Sequence, residues 1–190
     1  MKKRLFAAIV LPADLRAELA AFGRREAAAW SGARWTAPED LHVTVVFFGN
    51  VEEARLPELA AALGRAAAAG RPFELEYSEI TLAPPRGDRR TMIWASFAKS
   101  ADFSGLAETV RRAVGPFAPE MPEAKAPLPH ATLARLKRPV QADNRHFGEV
   151  LPATRRFAAR EITLFESHLG QSGPRYRPLA VFKTSERQSV

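Results

Sequence analysis

Apolar residues fall into seven short, strand-like stretches and three longer ones with helical spacing. Residues 4–10, 42–48, 73–83, 91–98, 130–136, 157–166 and 175–184 are rich in β-branched and aromatic residues and read as strands. In 11–30 Leu15, Leu19 and Phe22 recur at helical spacing. In 55–70 Leu56, Leu59 and Leu63 do the same, with Pro57 in the first turn and Gly70 as the stop. In 103–117 the stripe is Leu106, Val110 and Val114. A short fourth helix is expected near 142–151. The resulting order, β-α-β-α-β-β-α-β-α-β-β, contains hairpins, so an α+β fold with a largely antiparallel sheet is expected. No linker or short repeat divides residues 1–190, which read as a single domain.

One strand breaks its own pattern. In "DLHVTVVFFGNV", Val43, Val45 and Phe47 alternate with His42, Thr44, Val46 and Phe48, and Gly49-Asn50 is expected to end the strand. With a period of two, His42 and Thr44 share a face. The same local pattern returns in "APLPHATLARL", where His130 and Thr132 share a face. The two histidines lie 88 positions apart, near half the chain length, and the chain has four in all. One His-x-Thr is a weak signal. Two, each on a predicted strand after a proline-containing turn, point to a two-lobed arrangement with one motif per half.

Two imidazoles facing one cavity supply a general acid and a general base near neutral pH. In-line attack at phosphorus places the nucleophile and the leaving oxygen on opposite sides, which suits two histidines on opposite walls. Threonine hydroxyls beside them donate hydrogen bonds to the non-bridging oxygens. Spacing alone leaves the two roles interchangeable. A zinc site needs a third ligand, and neither H-x-H nor H-E-x-x-H occurs. The G-x-S-x-G elbow, the Walker loop and the dinucleotide fingerprint are also absent. No metal or other cofactor is expected.

Charge extends the picture. The net charge is +7, which suits a polyanionic partner such as RNA. From Lys125 to Arg160 there are eight basic residues against two acids, and "PPRGDRR" brings Arg86, Arg89 and Arg90 together in a loop expected between two strands. With no cysteine, disulfides and thiolate chemistry are excluded. That fits a reducing cytoplasm, the expected location. The apolar run Leu5–Leu11 meets Pro12 and Asp14, so it reads as a first strand and not a signal peptide. No stretch approaches membrane-spanning length. A monomer without an obligate protein partner is expected.

These motifs resemble the 2H phosphoesterase superfamily, specifically the bacterial and archaeal RNA 2′,3′-cyclic phosphodiesterase family, also called the 2′-5′ RNA ligase family. "RLFAAIVLP", "RWTAPEDLHVTVVFFGNV", "MIWASF", "PLPHATLAR" and "ITLFESHLGQSGPRYRPLAVF" carry the resemblance nearly end to end. It implies a bilobal, pseudo-twofold fold, with two largely antiparallel sheets flanking a central cleft and helices packed outside. His42 is then the proton donor to the leaving 3′ oxygen and His130 the proton acceptor from water. The product is a 2′-phosphate, with 2′-5′ joining as a minor reverse reaction. Thr44 and Thr132 would hold the phosphate.

Arg135 matches the family's trailing arginine. It lies five residues after His130, which in a flat strand is the opposite face. Lys125 and Leu128 stand where many relatives carry arginines. Lys125, Phe48 and Trp94 are further candidate RNA contacts, the two aromatics by stacking on a base. Both aromatics also suit a core. His146 reads as surface, and His168 as a loop residue near the cleft mouth. The alternatives are another 2H enzyme acting on small cyclic nucleotides or 2′-5′ oligonucleotides, and a non-catalytic RNA-binding protein.

Overall fold

The computed structural model describes residues 1–84, 89–123, 127–141, 147, 155–170 and 173–185. Its strands are β1 (Lys2–Val10), β2 (Ala33–Trp35), β3 (His42–Glu52), β4 (Phe73–Ala83), β5 (Arg89–Phe97), β6 (His130–Gln141), β7 (Arg156–Ala159), β8 (Glu161–Gly170) and β9 (Gly173–Lys183). The helices are α1 (Ala13–Glu26), α2 (Leu56–Ala69) and α3 (Ala101–Val114). The expected fourth helix, the loop residue Arg86, His146 and Lys125 all lie outside the described residues.

The fold is α+β and its strand pairings are antiparallel, as expected. The two expected sheets run together into one path, β7-β4-β5-β6-β3-β1-β8-β9, with β2 added beside β6. The two halves of this path meet at a single rung, Val43 opposite Ala131. Each of those residues directly follows a histidine of the two motifs. The seam of the sheet therefore brings His42 and His130 together from distant parts of the chain.

Two boundaries differ from expectation. The predicted strand 157–166 is two strands separated at Arg160, whose carbonyl accepts from both the amide (2.8 Å) and the hydroxyl (2.9 Å) of Thr184. Drawn out of the ladder there, the chain pairs with β4 on one side and with β1 and β9 on the other. The second difference is that β3 does not stop at Gly49. Gly49 takes φ of +76° inside the strand, opposite a register shift in β1, and pairing continues to Glu52. A Cβ at Gly49 would lie 2.7 Å from the Glu120 carbonyl oxygen. The left-handed backbone alone costs a non-glycine residue roughly 1–2 kcal/mol. Gly49→Ala is expected to lose at least about that much stability in urea unfolding.

The helices are held by packing more than by capping. Of these three described helices, α3 alone has a side-chain cap: Ser100 accepts the Phe103 amide at 3.1 Å. Neither α1 nor α2 has one. Yet Leu15, Leu19, Leu59, Leu63 and Phe103 are each at most 1% exposed. Burying one such side chain is worth about 1.5–3 kcal/mol, more than the ~1 kcal/mol of a cap. These residues join Leu5, Ala7, Ile9, Val43 and Ala131 in the main core. A second, smaller apolar cluster, Phe6, Ala8 and Phe165 with Val10, Phe47 and Tyr176, packs separately. It forms the aromatic wall around His42.

Candidate active site

A bulge in each motif strand sets which side chains reach the site. Along β1, Ala7 pairs with Val46 and Ala8 with Thr44, so Val45 is an extra residue in β3. Along β5, Ile93 pairs with Ala134 and Trp94 with Thr132, so Leu133 is the extra residue in β6. Both strands then show the same sequence of environments. His42 and His130 are half-buried, Val43 and Ala131 buried, Thr44 and Thr132 half-buried, and the next two residues of each strand buried. A bulge slips the period-two alternation by one. The side chains that next return to the cavity are Phe47 and Arg135. In β6 the irregular backbone is supported by Thr36, whose hydroxyl donates to the Thr132 carbonyl at 2.7 Å and whose amide donates to the Leu133 carbonyl at 2.8 Å.

The two imidazoles are anchored identically. His42 Nδ1 lies 2.7 Å from the Asp40 carbonyl oxygen, and His130 Nδ1 lies 2.7 Å from the Leu128 carbonyl oxygen. A carbonyl only accepts, so Nδ1 carries the hydrogen in both rings and Nε2 is left for the cavity. Aromatic neighbours hold the ring planes. Trp94 stacks on His130 with centroids 3.6 Å apart and planes 17° apart. His42 packs against Phe6 at 4.9 Å and meets Tyr176 edge-on at 5.0 Å.

The cavity has a volume of about 500 Å³ and takes in both histidines and both threonines. Arg135 enters from one side, beside the Met92 sulfur at 3.4 Å. Arg175 enters from β9, 3.8 Å from Glu39 and 3.9 Å from Asp40. The Asp40 carboxyl is pushed above its usual range by burial and by Glu39, against the pull of Arg175 and of the Tyr176 amide. Through Arg175 the terminal hairpin is tied to the turn that holds His42. Both histidines are held below the ordinary imidazole value of 6.5. Burial is the largest cause for His42, which is lowered to about 4, with the charges of His130 and Arg135 adding to it. Burial and then Arg135 lower His130, while the bond to Leu128 opposes them. Among the described residues no group of three His, Cys, Asp or Glu side chains is placed to hold a metal ion.

Known proteins resemble this chain in sequence and in fold. Residues 9–94 match the family model described as LigT like Phosphoesterase, a span that holds the first His-x-Thr and not the second. An RNA 2′,3′-cyclic phosphodiesterase of Thermus thermophilus is 31% identical over 94% of this chain and 89% of its own. The chain belongs to the LigT-like phosphoesterases of the 2H superfamily. A protein of the same name from Archaeoglobus fulgidus is 27% identical over 95% of this chain and 99% of its own. The crystal structure of TT0787 of Thermus thermophilus superimposes with a TM-score of 0.76 at 28% identity, covering 95% of this chain and 97% of that one. E. coli LigT without ligand gives 0.73 at 24% identity over 97% and 99%, a likeness of fold.

Within this phosphoesterase the sequence-predicted residues divide. His42, His130, Thr44, Thr132 and Arg135 line one cavity. Arg135 reaches it because of the bulge at Leu133, which the flat-strand expectation omitted. Phe48 does not reach it: it is fully buried in the core, and the bulge at Val45 puts Phe47 on the wall instead. Trp94 is also buried, at 9% exposure, with its ring against His130, so it supports the imidazole and offers no open face for a base. His168 is exposed and outside the cavity, 3.5 Å from the buried Glu166. The cavity also contains Arg34, Thr36 and Tyr176, which residue patterns alone did not single out. No helix among the described residues is long and apolar enough to cross a membrane.

Proposed function

We propose that this phosphoesterase opens the 2′,3′-cyclic phosphate end of RNA to a 2′-phosphomonoester, using its two histidines as acid and base without a metal. One observation carries the reading: two imidazoles with the same backbone-set tautomer present Nε2 to one cavity that also holds two threonine hydroxyls. A neutral Nε2 takes a proton from water as it attacks phosphorus. A protonated Nε2 on the other ring gives its proton to the departing ribose oxygen. The threonines and Arg135 hold the non-bridging oxygens, where charge accumulates in the transition state. The relatives' name, RNA 2′,3′-cyclic phosphodiesterase, favours the same substrate.

The asymmetry between the two bulged strands supports the division of labour. The strand of His42 returns Phe47 to the cavity, on an aromatic wall with Phe6 and Tyr176, while the strand of His130 returns Arg135. A nucleoside suits the aromatic side, which brings its ribose oxygen next to His42. The water then comes from the side of His130. His42 is therefore the donor and His130 the acceptor. With a 5′-hydroxyl in place of water, the same groups run the joining reaction in reverse.

The pKa shifts set a pH dependence. Turnover needs a protonated His42 and a neutral His130, the less populated of the two singly protonated forms because His42 is the more strongly lowered ring, and kcat/KM reports the free enzyme. Its bell is expected to rise through about 4 and to fall through a pKa below 6.5. Bound phosphate is negative and favours the imidazolium, so both limbs of kcat move to higher pH than those of kcat/KM. A kcat/KM that is flat from about pH 4 to 8 would remove the two-histidine scheme. The direct test is conversion of a short RNA ending in a 2′,3′-cyclic phosphate, in EDTA, with the product end identified. A 2′-phosphate is expected. A 3′-phosphate product would overturn the assigned regiochemistry, and binding without turnover would favour the RNA-binding alternative.

A further inference from the structure

Arg34 stands directly opposite Arg135 in the ladder between β2 and β6, and both side chains line the cavity. Cα atoms of such opposed residues lie only about 5 Å apart. Like charges in that position destabilise the pair. Of the other two arginines that line the cavity, Arg175 has Glu39 and Asp40 beside it, and Arg4 lies over the Phe47 ring, 4.8 Å from its centroid. Among the described residues no carboxylate pairs with Arg34 or Arg135. The reacting cyclic phosphate is a diester with a single negative charge, and Arg135, Thr44 and Thr132 already attend it. Arg34 is therefore a further cation at the same cavity, with no counter-charge from the described residues.

We propose that Arg34 binds the phosphodiester on the 5′ side of the terminal nucleotide, one nucleotide away from the reacting phosphorus. This deepens the cyclic-phosphate reading and rests on it. An RNA end carries that second phosphate, whereas a nucleoside 2′,3′-cyclic phosphate does not. Arg34 is then the residue that makes the site prefer an oligonucleotide end over a mononucleoside. The three residues of β2 have this role because they lay a short strand along β6, at the point where Thr36 also supports the bulge.

The test compares the wild type, Arg34→Ala and Arg34→Lys on two substrates, a short RNA ending in a 2′,3′-cyclic phosphate and adenosine 2′,3′-cyclic phosphate. Arg34→Ala is expected to lower kcat/KM on the RNA by about tenfold more than on the nucleoside, through KM. Its salt slope on RNA should fall by about one. Arg34→Lys should recover most of the loss, since a point charge still meets a phosphate. Equal losses on both substrates would place Arg34 on the reacting phosphate, and no loss on either would leave it a surface residue; both overturn the proposal. If the wild type turns over neither substrate, the cyclic-phosphate reading falls separately. Equilibrium binding of a 2′-phosphorylated oligonucleotide against adenosine 2′-phosphate then decides the role of Arg34, with an equal effect on both counting against it.

Discussion

His42→Ala and His130→Ala each lower kcat on a 2′,3′-cyclic phosphate end by about 10²–10⁴, the usual worth of a positioned acid or base. Both variants keep binding a 2′-phosphate product. The reason lies in how the rings are held. Each is fixed by a main-chain bond at Nδ1 and by aromatic neighbours, so its removal takes away a proton carrier without dismantling the threonines or Arg135. The two losses do not multiply. Once one ring is gone the other has no partner reaction to complete, and groups that act as a unit are strongly non-additive. Single-turnover rates for both variants and the double variant test this. Either single variant within about tenfold of wild type would exclude that residue from proton transfer.

Arg135→Ala lowers kcat/KM by roughly 10²–10³, the range seen when a donor to developing negative charge is lost. Arg135→Lys recovers only part of it, because an ammonium does not reproduce the two-pronged contact of a guanidinium with phosphate oxygens. The side chain is exposed and lies against the Met92 sulfur. Thermal stability should therefore stay close to that of wild type. A variant that loses activity and melting temperature together would instead make Arg135 a structural residue. Arg135→Ala should also ease protonation of both histidines, because its charge helps lower them. The alkaline limb of the residual kcat/KM then moves to higher pH.

Alternation along the chain carried most of the fold and the centre of the site. His42 with Thr44 and His130 with Thr132 are pairs two residues apart, and a period of two holds over that distance in any strand. It fails just beyond them. Counting by twos from His42 reaches Phe48, and from His130 it misses Arg135, because Val45 and Leu133 are each one residue too many for the neighbouring strand. A trace of this is present in the residue types. Val45-Val46 and Leu133-Ala134 put two apolar residues in succession at the same offset in both motifs, where strict alternation allows one. Trp94 was ambiguous between base stacking and core because a buried aromatic beneath an imidazole has the same residue type as one facing a ligand. Three residues of β2 are too few for any periodicity, so Arg34 and Thr36 emerge only from the pairing with β6.

The bond that sets each tautomer has a consequence for how freely this chain can drift. Its acceptor is a main-chain carbonyl, supplied at one motif by an aspartate and at the other by a leucine. All twenty amino acids carry that group. Point substitution at Asp40 or Leu128 can alter packing or charge, but it cannot delete the acceptor. The proton inventory of both rings is thus insulated from the genetic code at the positions that maintain it. A survey of residue identities would find nothing fixed at Leu128, although every turnover would depend on its backbone.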